Sequence, residues 1–336
     1  MNCHLLIPGL FWRSGDEAYR ELDLPSLRTL LVRATAAQGR AQDMEEWLCR
    51  AFAVDKQQDW PVAALTLLAD GGSPGDDYWL RADPVHLRVD SSQLILADSS
   101  AFGITRDEAN RLTQALNLHF NNSGLLFQAM HPERWYLCLA KPPQLQTRAL
   151  AEVAGKNIDE FLPVGTDSIY WHGVCNEIQM VLHHHAVNEV REAMGNPPVN
   201  SVWLWGGGRR PNIAGKPFAH VWTSECLVKS LALASGASLS DLPQNAQAWL
   251  AQPRAPGVHL VVLESLRGAA QYRDRERWLE NIEELEARWF APLLTALQRG
   301  QLEELIISSG PWSFAIARRD LWKLWRRSQP LAKYTN

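Results

Sequence analysis

One stretch of the chain, residues 187–211, constrains the fold more than any other. It starts as a helix, breaks at the Gly195-Asn196-Pro197-Pro198 turn, and resumes as an apolar run over 202–205. Two prolines cannot continue a helix, so the break is firm. Three glycines and two arginines follow the apolar run, at 206–210. This order predicts a buried strand that delivers a glycine-rich loop to a cleft.

The glycines and arginines that close this stretch suit an anionic ligand. Glycine lets backbone N–H groups approach an anion, and the guanidinium fork of arginine matches carboxylate or phosphate. A buried strand followed by an ordinary flexible turn explains the same residues equally well. The segment therefore indicates a candidate ligand site without establishing one.

The residues around the break resemble the central segment of the archaeal-type cofactor-independent phosphoglycerate mutases, a family within the alkaline phosphatase superfamily. The pattern is N-x-x-R, then G-x-P-x-N, then an apolar strand that ends in G-x-G. It is carried by Asn188, Arg191, Gly195, Pro197 or Pro198, Asn200, Gly206 and Gly208. The resemblance implies an α/β fold: an alkaline-phosphatase-like core with a mostly parallel sheet flanked by helices, plus an inserted smaller α+β domain. It assigns residues 1–75 and 212–336 to the core and residues 76–211 to the inserted domain.

Length, charge and cysteine content limit the function classes. The chain has 336 residues, enough for two domains, and its net charge of −4 provides no basic field for nucleic acid. No stretch approaches the roughly 18 apolar residues of a membrane span. The five cysteines are dispersed, which disfavours both a disulfide framework and a zinc site. Without a signal-peptide pattern, we expect a cytoplasmic protein that binds neither nucleic acid nor membrane.

The strand ends differ from those of the resembled enzymes, which hold two divalent metals with Asp and His side chains. Pro8 stands where the first metal-binding Asp is expected, and Trp60-Pro61-Val62 stands at the nucleophile position. The later strand ends read V-L-E-S-L-R at 262–267 and S-S-G-P-W at 308–312. The sequence thus predicts that the family metals Mn, Mg or Zn are lost, with no metal site and no catalytic residue. Phosphoryl transfer that depends on such metals is then expected to be very slow.

The second part of the chain keeps polar residues that could converge on a small anionic ligand. One stretch, 77–90, alternates apolar and polar residues, so it is also compatible with a strand that has one solvated face. The candidate ligand-binding residues are Arg81, Asp83, His86, Arg134, Asn188, Arg191, Asn200, Gly206, Gly207, Gly208 and Arg209.

Three functions are compatible with these observations. The first is a non-catalytic phosphoglycerate-mutase-like protein that is regulatory and binds a small anionic or phosphorylated ligand. The D-P-V-H-L-R-V-D run also resembles a bacterial group known as RpfE-type regulatory proteins, which implies such a role. The second is an enzyme, phosphoglycerate-mutase-like or other, whose chemistry has moved to Asp83, His86 or His172. The third is an interaction module whose tryptophan-rich surface binds a protein partner, because 15 tryptophans are many for this length.

The tail at 318–327 alternates arginine with tryptophan. A basic aromatic tail can bind nucleic acid or an acidic surface. A closing helix is the favoured interpretation, with Leu321, Trp322, Leu324 and Trp325 packed inward and the arginines solvated.

Overall fold

A computed structural model describes residues 1–12, 22–41, 43–91, 93–252, 256–323, 325 and 331–334. Its strands are β1 (Asn2–Leu6), β2 (Thr35–Gln38), β3 (Tyr78–Asp90), β4 (Gln93–Asp98), β5 (Leu125–His131), β6 (Arg134–Leu139), β7 (Ser201–Gly208), β8 (His220–Trp222), β9 (Ser238–Ser240), β10 (Val258–Val262), β11 (Glu304–Ser309) and β12 (Trp312–Ala317).

The α-helices are α1 (Pro25–Arg33), α2 (Met44–Ala51), α3 (Val62–Ala69), α4 (Arg106–His119), α5 (Leu150–Val153), α6 (Ser168–His183), α7 (Ala186–Ala193), α8 (Cys226–Ser235), α9 (Ala246–Leu250), α10 (Arg267–Tyr272), α11 (Arg275–Leu285) and α12 (Ala291–Gln298). A π-helical turn, Glu286–Phe290, joins the last two. Short 3-10 turns lie at Ser99–Ala101, Ile158–Phe161, Arg318–Trp322 and Leu331–Tyr334. None of the described helices combines the length and the apolar character needed to cross a bilayer.

The chain divides into two compact units, one formed by Met1–Ala53 with Ile213–Asn336 and the other by Val54–Asn212. The sequence-based boundary lay at residue 76, whereas residues 54–75 group with the second unit. The reason is α3, a helix whose residues are nearly all apolar and which packs on β3 and β7 of that unit. It buries its apolar side chains there.

The first unit is built on a seven-stranded sheet in the order β2-β12-β11-β1-β10-β8-β9. The pairs among β11, β1, β10, β8 and β9 are parallel, and β12 and β2 add an antiparallel edge. Parallel strands buried on both faces read as continuous apolar runs, as in Val258–Val262. The prediction of an α/β fold with a parallel-rich sheet is confirmed.

The second unit contains a five-stranded antiparallel sheet in which β3 pairs with β4, β6 and β7, and β6 also pairs with β5. Helices α4 and α6 cover it and share its apolar core. A capping box starts α4, because Thr105 and Glu108 exchange hydrogen bonds. This unit therefore has the mixed α+β character expected of the smaller domain.

Helices α11 and α12 and the π turn between them form one long helical segment. Its apolar face is buried, with Trp278, Ile282, Leu285, Trp289, Leu293 and Leu297 in the core. The π turn contains Glu286, whose two carboxylate oxygens accept the backbone N–H groups of Ser26 and Leu27 at 2.7 and 3.0 Å. These N–H groups belong to the first turn of α1, whose N-cap residue Leu24 provides no side-chain cap. Glu286 thus replaces the missing cap from a distant helix.

The interpretation of the tail as a packed helix is wrong for its tryptophans. Trp322 is 78% exposed and Trp325 is 76% exposed, whereas Leu321 packs against the core. The described residues form a 3-10 turn, Arg318–Trp322, where a helix was expected. A turn of five residues is too short to bury a continuous apolar face. Leu324, Arg326 and Arg327 lie outside the described residues.

We expect Glu286→Ala to lower the free energy of unfolding by about 2–3 kcal/mol, because it leaves two buried N–H groups without an acceptor. Glu283→Ala, which removes an exposed carboxylate from the preceding turn, is the control and should change it by less than about 0.5 kcal/mol. Urea unfolding followed by circular dichroism measures both values. Equal effects of the two substitutions would contradict the capping role.

Candidate functional site

The carboxyl ends of the parallel strands meet at one edge of the first unit's sheet. Leu6 at the end of β1 is in register with Val262 of β10 and Ser308 of β11, and Val261 is in register with Trp222 of β8. Ligand sites of open α/β sheets lie outside this edge, because loops there carry the variable side chains. The residues that follow these strands are therefore the first candidates for function.

The turn after β1 offers no polar side chain to this edge. Pro8 and Gly9 form it, and Gly9 adopts a φ of +80°. A Cβ atom at Gly9 would lie 2.9 Å from the Cβ of Ala270 and 3.0 Å from the carbonyl oxygen of Leu266. The Gly9 carbonyl accepts a hydrogen bond from the Trp278 indole at 2.8 Å. The turn is thus packed against α10, and side chains on other elements must supply any chemistry.

An arginine supplies the positive charge at this edge. Arg267, the first residue of α10, forms an ion pair with Glu45 on α2, and one of its terminal nitrogens lies 3.4 Å from the sulfur of Met44. The Glu45 side chain is 9% exposed and that of Arg267 is 24% exposed. The second carboxylate oxygen of Glu45 is buried and has no hydrogen-bond partner among the described residues. Glu45 therefore depends on Arg267 for its charge compensation.

Glu264, two residues after the end of β10, is the carboxyl group of this edge whose pKa is raised to near neutral. Burial raises the pKa of Glu264 to about 7, and the negative charges of Glu225 and Glu45 act in the same direction, against Arg267 and a hydrogen bond from Ser224. The Ser224 hydroxyl lies 3.4 Å from the Glu264 carboxylate. A carboxyl group that titrates near neutral pH beside a hydroxyl can accept or donate a proton under physiological conditions.

We call Glu45, Ser224, Glu225, Glu264 and Arg267 the edge cluster. It holds three carboxyl groups and one guanidinium, so its carboxylates outnumber its guanidinium even when Glu264 is protonated. No group of three or more His, Cys, Asp or Glu side chains that could hold a metal ion occurs within the part of the chain that the structure describes. At this edge, the acidic side chains are close to the Arg267 guanidinium and do not combine with imidazoles into a metal-binding set.

The edge cluster was not predicted from the sequence. Residues 262–267 were considered only as possible metal ligands, whereas the informative residues are Glu264, which closely follows a buried strand, and Arg267. Their neighbours Glu45 and Glu225 lie on other elements, and no local pattern links the four. The position of Glu264 at a strand end was the one available signal.

Arg81 and Asp83, two predicted ligand-binding residues, form a buried ion pair in the second unit. The Arg81 guanidinium donates two hydrogen bonds to one Asp83 oxygen, at 3.0 and 2.7 Å, and lies 5.3 Å from the centres of both the Tyr136 and Trp205 rings. The Trp205 indole donates to the other Asp83 oxygen at 2.7 Å. Burial raises the pKa of Asp83 against the opposing effect of Arg81. Asp83 is only 1% exposed. The ion pair therefore lies in the interior of the second unit, beneath the surface of its sheet.

Arg134 is also matched to a carboxylate. Its guanidinium donates to both oxygens of Asp70 at 2.8 and 2.6 Å, and the Tyr136 hydroxyl donates to Asp70 at 2.6 Å. Burial opposes the ionisation of Asp70, but the hydrogen bonds from Arg134 and Tyr136 outweigh it and lower the pKa. This bidentate pair fixes the start of β6 to the end of α3.

The N-x-x-R and G-x-P-x-N residues clamp the loop between α7 and β7. The Asn188 amide donates to the carbonyls of Leu182 and Val199 and accepts the Val199 N–H, at 2.7, 2.9 and 2.8 Å. Arg191 donates to the Pro197 carbonyl and to Glu108, both at 2.9 Å.

The same loop is held from the side of β3. Asn200 exchanges two hydrogen bonds of 2.8 Å with the backbone of Leu87, and a His86 ring nitrogen lies 2.8 Å from the Pro198 carbonyl. His172, the further candidate for relocated chemistry, contacts the Pro163 carbonyl at 3.1 Å. The structure therefore gives these side chains partners within the protein. Their assignment as ligand-binding residues stays a prediction.

The expected glycine-rich loop is not a loop. Gly206, Gly207 and Gly208 are the buried end of β7, which pairs with β3. A Cβ atom at Gly207 would lie 2.5 Å from the Tyr78 hydroxyl oxygen, and one at Gly208 would lie 2.5 Å from the Cβ of Pro61. The glycines are required for close packing rather than for cradling an anion.

Arg209 differs from the other predicted arginines. Arg81 and Arg191 are buried and Arg134 is partly buried, whereas Arg209 and the adjacent Arg210 are exposed. The Arg209 backbone is held by Gln57, which accepts its N–H at 3.0 Å and donates to its carbonyl at 2.8 Å. Its guanidinium donates to the Asp76 carbonyl. Of the four, Arg209 is the one that presents its side chain to solvent.

The raised pKa of Glu264 makes a pH-dependent contribution to stability. The folded state holds the proton between the ordinary pKa of 4.5 and about 7, where the unfolded state has released it, so stability falls as pH rises through this window. The difference of about 2.5 pKa units corresponds to about 3 kcal/mol. We expect Glu264→Gln to remove this slope and to be more stable than the wild-type protein at pH 8. Urea unfolding between pH 4.5 and 8 measures the slope, with the exposed Glu280→Gln as control.

Comparison with known proteins gives no match to a family model. Curated relatives do match in sequence. The 2,3-bisphosphoglycerate-independent phosphoglycerate mutase of Methanosarcina barkeri is 30% identical over 130 residues, which are 38% of this chain and 32% of that protein. The Methanosarcina mazei enzyme of the same name is 24% identical over 237 residues, 64% of this chain and 59% of that enzyme. The chain thus spans about one third to three fifths of the length of these relatives.

The fold is shared with a solved structure, the PH0037 protein from Pyrococcus horikoshii. That likeness has a TM-score of 0.57 at 15% identity and covers 94% of this chain and 87% of that chain. It extends over both units, although the identity is too low to carry function. The sequence matches therefore show similarity to enzymes named 2,3-bisphosphoglycerate-independent phosphoglycerate mutase, and the solved structure shows a shared fold.

Proposed function

We propose that this chain is a non-catalytic, phosphoglycerate-mutase-like protein with a regulatory, ligand-binding role. One observation carries the proposal: Arg267 pairs with Glu45 at the strand end where the resembled enzymes place metal ligands. A fixed guanidinium compensates the buried Glu45 carboxylate there, which supports an edge that is stable without a divalent cation.

The chemical consequence follows from what a metal does in phosphoryl transfer. A divalent ion polarises the phosphoryl oxygens and lowers the pKa of the attacking oxygen. A guanidinium provides positive charge and hydrogen bonds, but it has no open coordination position for a nucleophile. The described strand ends also lack the Asp and His side chains that would hold such an ion, with Pro8 after β1 and Ser308 and Ser309 closing β11.

The purified full chain should not interconvert 2- and 3-phosphoglycerate above the background rate, with or without Mn²⁺ or Mg²⁺. Its thermal unfolding midpoint should be the same in EDTA and in Mn²⁺, because an ion that does not bind the folded protein does not stabilise it. An active archaeal relative assayed in parallel verifies the substrate and the metal. Turnover by this chain that depends on Mn²⁺ would reject the proposal.

The structural role of Arg267 can be tested separately. We expect Arg267→Met to lower the free energy of unfolding by about 3 kcal/mol, because Glu45 would keep a buried charge without its partner. Arg50→Met removes an exposed ion pair with Glu46 from the same helix, α2, and should cost less than about 1 kcal/mol. Denaturant unfolding at pH 7 compares the two. An Arg267→Met loss no larger than that of Arg50→Met would show that the edge cluster does not need its cation.

For the ligand, we propose a small phosphorylated or other anionic molecule bound at Arg209 and Arg210. What supports this is their exposure directly after β7, where Gln57, the residue after the exposed Lys56, holds the Arg209 backbone. Two adjacent exposed arginines on a chain of net charge −4 provide local positive charge.

Titration calorimetry with 3-phosphoglycerate, and with sulfate as a simple anion, tests this site. Binding should weaken at least about tenfold in the Arg209→Ala/Arg210→Ala double variant, since it removes two charge-assisted contacts. Arg88→Ala, another exposed arginine of the second unit, should bind like the wild-type protein. Unchanged binding in the double variant would place the ligand elsewhere.

A second candidate is a metal-independent enzyme that uses Glu264 as general acid or base. The observation in its favour is the Glu264 pKa of about 7 beside the exposed Ser224. Hydrolysis of a phosphate or carboxylate ester in EDTA, with a pH midpoint near 7 that Glu264→Gln abolishes, would support this candidate. Such activity would also overturn the non-catalytic proposal.

A further inference from the structure

Strand β2 leaves an open sheet edge. Thr35–Gln38 is the outermost strand of the seven-stranded sheet, and it pairs with β12 alone among the described strands. All four of its residues are exposed. It contains no charged residue and no proline, the devices by which proteins usually prevent edges from pairing. Within the part of the chain that the structure describes, the outer side of this strand pairs with no other strand, so its backbone donors and acceptors suit another strand.

An open pocket of about 560 Å³ lies beside this edge, and Trp322 and Trp325 line it with their exposed rings. The remaining lining residues are Thr35, Glu304, Ala315, Ala317, Arg319, Asp320 and Lys323. Two tryptophans that are each more than three-quarters exposed offer a large apolar area to water. Such area beside a strand edge marks an interaction surface.

The charges around the pocket indicate what kind of partner fits. Glu304 and Asp320 balance Arg319 and Lys323, and Lys323 is already paired with Asp320. Binding of nucleic acid or of an anionic membrane draws on a surplus of positive charge, which this lining does not have. The pocket lining has no net charge, and β2 has no charged residue. Both features favour pairing with another protein strand that is also uncharged.

We propose that two copies of this chain associate through β2. Antiparallel pairing of two identical strands is self-complementary around a two-fold axis, so one surface patch serves both copies. With the axis at Ala36, this residue faces Ala36 of the partner copy, and Thr35 faces Ala37. The two sheets then continue into each other, and the neighbouring copy covers Trp322 and Trp325.

The size of the surface sets the strength of this dimer. A four-residue strand and two tryptophans, at about 150–250 Å² each, bury less than the roughly 800 Å² per partner of a stable interface. We therefore expect a reversible dimer with a dissociation constant in the micromolar range. Its population must change over accessible protein concentrations.

Sedimentation velocity of the full chain over micromolar concentrations tests the proposal. The average mass of the wild-type protein should rise from one chain towards two. The Ala36→Lys/Ala37→Lys variant should remain monomeric, because its edge would bring like charges face to face. Trp322→Ala should weaken association about tenfold through lost burial. Leu233→Lys, which changes an exposed apolar residue on α8, is the control and should dimerise like the wild-type protein.

Each other outcome overturns the proposal. A wild-type protein that stays monomeric throughout, or a dimer that both the lysine variant and Trp322→Ala leave unchanged, excludes the β2 interface. So does binding of a single-stranded RNA oligomer by a monomer through the tryptophans. If the lysine variant unfolds at a lower temperature than the wild-type protein, Trp322→Ala decides, because its side chain is already in solvent and the fold does not depend on it.

Discussion

The ion pair between Arg267 and Glu45 is the constraint on which the first unit depends. The Glu45 carboxylate is nearly buried, and one of its oxygens has no hydrogen-bond partner among the described residues. Two further carboxyl groups, those of Glu225 and Glu264, add negative charge around it. Buried charge of one sign is tolerated only when a charge of the other sign is held close to it. Placing that cation on the first turn of α10 ties this helix to α2, and the Pro8-Gly9 turn packs against the same helix.

The second unit solves the same electrostatic problem in three places. Arg81 is held by Asp83, Arg134 by Asp70, and Arg191 by Glu108. Each guanidinium also meets further groups, such as the rings beside Arg81 and the loop carbonyls around Arg191. Arginine suits these sites because its planar fork satisfies several acceptors at once. A sequence motif rich in arginine and asparagine can therefore be a device for holding a loop, here the turn before β7.

The elements that could be predicted from the sequence are those specified by near neighbours. The break at Gly195 to Pro198, the strand that follows it and the capping box of Thr105 and Glu108 all depend on residues within a few positions. Predictions failed where a distant residue decides. The glycines at 206–208 continue a strand because Tyr78 and Pro61 occupy the space a side chain would need. Glu286 caps a helix that begins 260 residues earlier in the chain, and Arg267 pairs with a carboxylate 222 residues away. No periodicity or composition encodes such contacts, because folding alone brings these residues together.

The charge of the edge cluster bears on where a phosphorylated ligand would bind. With Glu264 ionised, three carboxylates face one guanidinium, so a phosphate brought to this edge would meet net repulsion in a medium of low polarity. Electrostatics favourable to an anion are found where positive side chains are exposed, as with Arg209 and Arg210 directly after β7. The Arg267 guanidinium thus compensates a buried carboxylate at the strand ends, whereas the proposed anion site consists of exposed arginines that follow β7.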